Sequence, residues 1–319
     1  MLRVPRPAGA AREKQGCRKA WQRQRPTWPV RLPRCATSGH DVVVRAVITD
    51  SPEQFSVRVG DFLDARLEHN VLATVLFGVL ADPDGHPGAL FASVDDDGVV
   101  VAAALRTPPR RMLSSVMDGA LADRLIEEWL SVDPELPGVS ASEPAASHLA
   151  SAWERATGGR ATVALSEAVH QLQRVLAPAR PATGAMRPAA SSDRTLLVRW
   201  FAEFSHEAGV YAGDVGRLVD RRLAGGGLFL WEDPEPVSMV GLLPAVAAVV
   251  RIGPVYTPSE YRNHGYASSA VAAASALALA EGAHRCMLLT DLANPTSNRI
   301  YQALGYERCA EWREYDFNA

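Results

Sequence analysis

Residues 247–281 limit the fold more than any other stretch of the chain: a strand, a glycine-bearing turn, then a helix made almost wholly of alanine and serine. The strand, Ala247–Tyr256, contains Gly253-Pro254. Proline cannot donate to a β-ladder and glycine weakens one, so the pair marks a bulge or a place where the strand loses a neighbour. Then comes Thr257-Pro-Ser-Glu-Tyr-Arg-Asn-His-Gly-Tyr-Ala-Ser-Ser269, and a helix from about Gly265 to Glu281, stopped by Gly282. Its body (Ala270, Ala272, Ala273, Ala274, Ala276) has no bulk to hold it off a sheet.

A strand, a glycine turn and a helix start form an anion site by construction. The first-turn N–H groups have no intrahelical partners and the helix dipole is positive there. Gly265 allows a phosphate to approach the backbone, Arg262 adds charge, and Ser268 and Ser269 add hydroxyls. The loop is neither GxxxxGK[ST] nor GxGxxG, and no lysine or metal-binding carboxylate accompanies it, which disfavours an ATP site.

A strand at His284–Thr290 leads into Asp291-Leu-Ala-Asn-Pro-Thr-Ser-Asn-Arg-Ile-Tyr301. Asn294 suits an N-cap and Pro295 a first helical position. Asn294, Asn298 and Tyr301 fall at i, i+4 and i+7 on one helical stripe. That stripe either lines a ligand groove or is a solvated face with one amphipathic tyrosine. Upstream, Thr195–His206 carries Leu196, Leu197, Trp200, Phe201 and Phe204 at helical spacing, a core face. Strands are expected at Leu228–Trp231 and Val237–Leu243.

Charge and composition divide the chain. Residues 1–42 hold ten basic and two acidic side chains among five prolines, with no apolar period, and read as a disordered basic tail. The remainder holds 23 basic and 34 acidic residues, a net of −11, a poor surface for nucleic acid. No apolar run approaches the roughly 20 residues of a membrane span. The four cysteines show no CxxC spacing, and the eight histidines form no HxxxH or HxH cluster, so no metal is expected. Cysteines in no pairing pattern, without a signal peptide, fit a cytoplasmic protein.

A Pro/Ala/Ser-rich segment at Leu176–Asp193 separates two bodies, 43–180 and 181–319, with a short strand near Ala185–Arg187. The bodies echo each other. Gly88-Ala-Leu-Phe91 matches Gly226-Gly-Leu-Phe229, Val99–Leu105 matches Val237–Leu243, and Glu143–Ala150 lines up with Asn294–Tyr301. Four elements agreeing in order point to an internal duplication.

Arg262-Asn-His-Gly265-Tyr-Ala267 resembles the R/QxxGxG/A loop of the GCN5-related N-acetyltransferases (GNAT). Asn294 with Tyr301 and Leu304-Gly305-Tyr306 resembles that family's NxxAxxxYxxxGF segment. The resemblance covers 226–317 in detail and the first body in outline. It implies an α/β acyl-CoA N-acyltransferase fold, a mixed central sheet flanked by helices, in two tandem copies. It implies acetyl-CoA as cosubstrate. Backbone N–H groups of Arg262, Asn263, His264, Gly265, Tyr266 and Ala267, with Ser268 beside them, would hold the pyrophosphate. Val255, Tyr256 and Thr257 would pair with the pantetheine arm, Asn294 and Asn298 would line it, and Tyr301 would protonate the departing thiolate. Asn263 and His264 depart from the family pattern, but asparagine tolerates left-handed backbone.

The implied reaction is acetyl transfer to a primary amine, on a small molecule or a peptide, by direct attack in a ternary complex. By placement, Glu203, His206, Glu207 and Asp291 are candidates for the base. The first body has no such loop between its strand at Val99–Leu105 and its helix around Leu121–Leu130. Arg106-Thr-Pro-Pro-Arg-Arg-Met-Leu-Ser-Ser-Val-Met-Asp-Gly119 stands there instead, Glu143 replaces Asn294 and Ala150 replaces Tyr301. It reads as a degenerate copy. The rival class is a non-catalytic acyl-CoA sensor on the same fold. The sequence does not specify the acceptor, the acyl length or the oligomeric state.

Overall fold

A computed structural model describes residues 45–210 and 213–318; the basic tail at 1–42 lies outside the described residues. The same order of elements runs twice. The first copy comprises β1 (Arg45–Thr49), α1 (Pro52–Asp64), α2 (Asn70–Ala81), β2 (Leu90–Asp96), β3 (Val99–Arg106), β4 (Met112–Ser114), α3 (Gly119–Val132), β5 (Gly138–Ser142), α4 (Ala145–Thr157) and β6 (Arg160–Leu172). The second comprises β7 (Ala185–Pro188), α5 (Arg194–Glu207), α6 (Val215–Ala224), β8 (Leu228–Glu232), β9 (Pro236–Leu242), β10 (Val249–Tyr256), α7 (Tyr266–Ala280), β11 (Arg285–Asp291), α8 (Pro295–Ala303) and β12 (Glu307–Asn318). Each is strand, two helices, three strands, helix, strand, helix, strand, so the duplication expected from four aligned segments extends to every element.

The described chain divides into two compact units that do not follow the sequence boundary at 180/181. One contains 45–172 together with 287–302 and 306–318; the other contains 173–210, 213–286 and 303–305. The cause is an exchange of last strands. β12, which closes the second copy in sequence, inserts between β5 and β6 of the first, antiparallel to both. Glycine permits the approach: a Cβ on Gly138 would stand 2.1 Å from the carbonyl oxygen of Tyr315. Trp312 anchors the strand, buried at 2% exposure and donating its indole N–H to Ser140 Oγ at 2.8 Å. Arg111 reaches Glu314 and Asp316, each at 2.6 Å, and Arg313 reaches Glu143 at 3.0 Å.

Within this unit β1, β2, β3 and β4 are successively antiparallel, whereas β4 and β5 run parallel because α3 carries the chain back across the sheet. The α3 and α4 faces supply Leu125, Ile126, Trp129, Leu149 and Trp153 to the core over the strands. Ala150, which aligns with Tyr301, is part of the buried set.

In the other unit β7, β8, β9 and β10 form an antiparallel run. The α5 stripe is core as its spacing predicts: Leu197, Trp200 and Phe201 are buried against Leu230 and Met239, with Leu196 and Phe204 at the edge. The alanine-rich α7 packs on β9 and β10. The ladder between β10 and β9 shifts register between Ile252 and Val255, which is the irregularity that Gly253-Pro254 announces. Arg222 Nη1 donates to the Gly253 carbonyl there at 2.8 Å.

Among the described residues no helix is long and apolar enough to cross a membrane, and no group of three or more His, Cys, Asp or Glu side chains is placed to hold a metal ion.

Candidate functional site

The loop after β10 is shaped by its backbone. Val255 and Tyr256 still pair with Val240 and Met239 of β9, so the strand is regular to its end. Residues Ser259–Tyr261 make one tight helical turn, and Asn263 and Gly265 then take left-handed backbone, φ +67° and +81°. The asparagine standing where the family favours glycine adopts the conformation it tolerates.

Gly265 is the N-cap of α7 and has no side chain to cap it. The amides of Tyr266, Ala267 and Ser268 therefore begin a helix with no acceptor among the described residues, at the positive end of the dipole. A Cβ at Gly265 would lie 3.1 Å from the carbonyl oxygen of Arg180, so the linker runs over this helix end. Ala182 N–H donates to Ser269 Oγ at 2.9 Å and fastens the linker there.

The side chains around the loop are committed to shaping it. Arg262 donates to both carboxylate oxygens of Glu207 (2.9 and 2.7 Å) and through Nε to the Thr257 carbonyl (2.9 Å). Its guanidinium lies over the Tyr256 ring, 5.9 Å from the centroid. Its own amide donates to the Ser259 carbonyl at 3.3 Å, so of the six amides expected to face pyrophosphate this one already has an acceptor. His264 stacks on Tyr266, centroids 5.6 Å apart, and the Tyr266 hydroxyl donates to Asp233 at 2.8 Å. Burial, with Glu203 and Glu207 nearby, pushes the Tyr256 phenol up to about 12.

Residues 291–301 belong to the other unit. Asn294 caps α8 as its position predicts, Oδ1 accepting from Ser297 N–H at 3.0 Å, and Pro295 is the first helical residue. Asn298 Nδ2 donates to the carbonyls of Asp291 (2.9 Å) and Asn294 (2.8 Å). Tyr301 is half-buried, edge-on to Tyr306 at 5.9 Å, and desolvation pushes its phenol up to about 12. It is a neutral donor throughout the ordinary pH range.

The four candidate bases have other engagements or none that mark them. Glu207 is held by Arg262, Glu203 lies 3.8 Å from Arg199, and Asp291 Oδ1 accepts from Ala293 N–H at 2.8 Å. His206 is exposed in the last turn of α5. Sequence reasoning missed His170, on β6, whose Nε2 is 3.3 Å from Asn298 Oδ1. No spacing links residues 128 positions apart, and only the fold brings them together.

The first copy differs at the matching helix. Asp118 caps α3, its carboxylate accepting from Leu121 N–H at 2.9 Å. An anion already sits where α7 leaves its amides open.

Residues 194–306 match the acetyltransferase (GNAT) family. The described chain has the fold of solved GNAT acetyltransferases, a tandem GNAT protein among them. An acetyltransferase from the GNAT family of Colwellia psychrerythraea superposes with a TM-score of 0.58 at 12% identity, over 86% of this chain and 100% of that one. A GCN5-related N-acetyltransferase from Sphaerobacter thermophilus gives 0.55 at 18%, over 86% and 94%. A tandem GNAT protein from the clavulanic acid biosynthesis pathway, solved without AcCoA, gives 0.55 at 13%, over 86% and 98%. No curated protein matches the sequence.

Proposed function

We propose that this protein is an N-acetyltransferase that moves the acetyl group of acetyl-CoA to a primary amine of a small molecule or peptide. The observation that carries the reading is the open start of α7. A left-handed Gly265 without a Cβ precedes three amides that have no acceptor among the described residues, inside a stretch that matches an acetyltransferase family. A pyrophosphate fits such a helix end.

In this reading Asn263, His264, Gly265, Tyr266, Ala267 and Ser268 hold the pyrophosphate, with Arg262 bracing the loop. Val255, Tyr256 and Thr257 pair with the pantetheine, and Asn294 lines it. Tyr301 passes its phenolic proton to the departing sulfur. The role of Tyr301 is supported by its place in the NxxAxxxY-like segment and by the desolvation that keeps the phenol protonated. The amine attacks the thioester directly after losing its proton. Localisation in the cytoplasm is part of the same proposal, resting on the cysteine pattern.

The test is release of free coenzyme A thiol from acetyl-CoA over a panel of primary amines, alongside calorimetry. Amine-dependent release with one tight acetyl-CoA site per chain is expected. Tight binding without release for any amine identifies a sensor, and no binding ends the proposal.

A further inference from the structure

The described residues place one buried imidazole beside the Asn298–Tyr301 stripe. His170 lies on β6 with no exposed surface, opposite Arg308 of β12. Its ring centroid is 6.5 Å from that of Tyr301, tilted by 57°. The hydrogen bonds around Asn298 settle which of the His170 ring nitrogens donates. Asn298 spends its Nδ2 hydrogens on the Asp291 and Asn294 carbonyls, so its Oδ1 must be the atom that meets His170. An amide oxygen only accepts, hence His170 Nε2 carries a proton; Nδ1 holds the lone pair in the neutral ring, the form that burial favours. Nδ1 is buried with no partner among the described residues.

Leaving Nδ1 unpaired is unfavourable, and packing alone would be served better by an apolar side chain of the same size. The benefit must lie at Nε2. Asn298 is joined at once to the end of β11, to the cap of α8 and to β6, and Tyr301 follows three residues later on α8. We propose that His170 is a positioning residue, which locks the Asn298 amide by its Nε2–H and thereby sets α8 and the Tyr301 phenol for proton delivery. The first copy has lost its own loop, yet on this view it retains a part in the reaction through its last strand. Asn298 is then a strut rather than a ligand contact. The environment agrees with a ring held neutral: burial, and then the charge of Arg308, keep the imidazole below its usual range.

The inference rests on the acetyltransferase reading and on Tyr301 as the acid, and its test separates them. In the full chain, His170→Leu is expected to lower kcat about tenfold while leaving the KM for acetyl-CoA unchanged. His170→Gln, which can still donate to Oδ1, is expected to recover most of that loss. In a Tyr301→Phe background His170→Leu is expected to add nothing. The second readout needs no turnover: the ultraviolet titration of Tyr301, taken as the difference from Tyr301→Phe, is expected to move in His170→Leu and to return in His170→Gln. If His170→Leu does not fold, Asn298→Ala removes the acceptor instead and is read by the same two measurements. A wild-type kcat with an unmoved Tyr301 titration overturns the inference, as does a loss that persists undiminished in Tyr301→Phe. If the wild type acetylates no amine, the acetyltransferase reading fails, and the titration alone decides for or against His170.

Discussion

Asp118 and Gly265 occupy the same station in the two copies: each is the N-cap of the helix that follows its copy's fourth strand. Asp118 fills that helix end with its own carboxylate, accepting from Leu121 N–H at 2.9 Å. Gly265 leaves the end open. A carboxylate at the cap stabilises the helix and repels a phosphate; a glycine at the cap gives up the first effect and permits the second charge to bind. One chain therefore holds both solutions to a helix start, one structural and one suited to a ligand.

One acetyl-CoA is expected per chain. Ala267→Glu is the sharper probe of its place than a change at Gly265, where left-handed backbone and the Arg180 carbonyl at 3.1 Å would strain any side chain. A glutamate in the first turn of α7 suits the dipole, so melting should be unchanged or slightly raised. Acetyl-CoA affinity should fall at least about tenfold, or about 1.4 kcal/mol, by calorimetry. Unweakened binding would place the pyrophosphate elsewhere.

Asp118→Ala should cost about 0.5–2 kcal/mol, the usual worth of such a cap, seen as a lower melting temperature. It should create no second site, because the segment between β4 and α3 offers no loop to hold a pyrophosphate. A stoichiometry of two in this variant would contradict the comparison drawn between the copies.

Tyr301→Phe should lower kcat by about 10²- to 10⁴-fold and leave the KM for acetyl-CoA near its wild-type value. With the phenol pushed up to about 12, its ionisation should not shape the rate between pH 7 and 10. The linked stability has a definite sign. The folded pKa lies above the unfolded value of about 10, so the stabilisation is complete below pH 10 and is lost as pH rises towards 12. An alkaline fall in kcat centred near pH 8 must come from another group.

Glu207→Gln should keep turnover within about threefold of wild type, since its carboxylate is engaged by Arg262 rather than free to take a proton. The pair is about half exposed, so stability should change by less than about 1 kcal/mol. A hundredfold loss of kcat would restore Glu207 as the base.

A chain ending before Glu307 should fail to melt cooperatively. It lacks β12, and with it the partner of both β5 and β6 and the buried Trp312. A cooperative transition in circular dichroism would show that the remaining strands close without it.

Local chemistry was legible in the sequence where local rules govern it. The bulge at Gly253-Pro254, the left-handed Asn263, the Asn294 cap and the α5 core stripe each follow from the residue type and its immediate neighbours. The fold was implied by the resemblance of the Arg262–Ala267 loop and the Asn294–Tyr306 segment to a family pattern, and the alanines of α7 agree with it because they let that helix pack closely on β9 and β10. What depends on distant pairing was not legible. A boundary at 180/181 follows the composition, but β12 is no more apolar or regular than a strand that stays with its own copy, so nothing in it announces the exchange. The commitment of Arg262 to Glu207 and of Asn298 to His170 spans 55 and 128 positions, and both pairs are set by the tertiary fold alone.

The exchanged strand also fixes an order of events at the ribosome. When β6 has emerged, the first copy holds β5 and β6 with a vacant lane between them, each exposing unpaired backbone groups. Such edges invite pairing with other chains. Only after α5 to α8 have been synthesised does β12 arrive to occupy the lane. The first half made is thus the last half finished, because its sheet is complete only once Asn318 has been added.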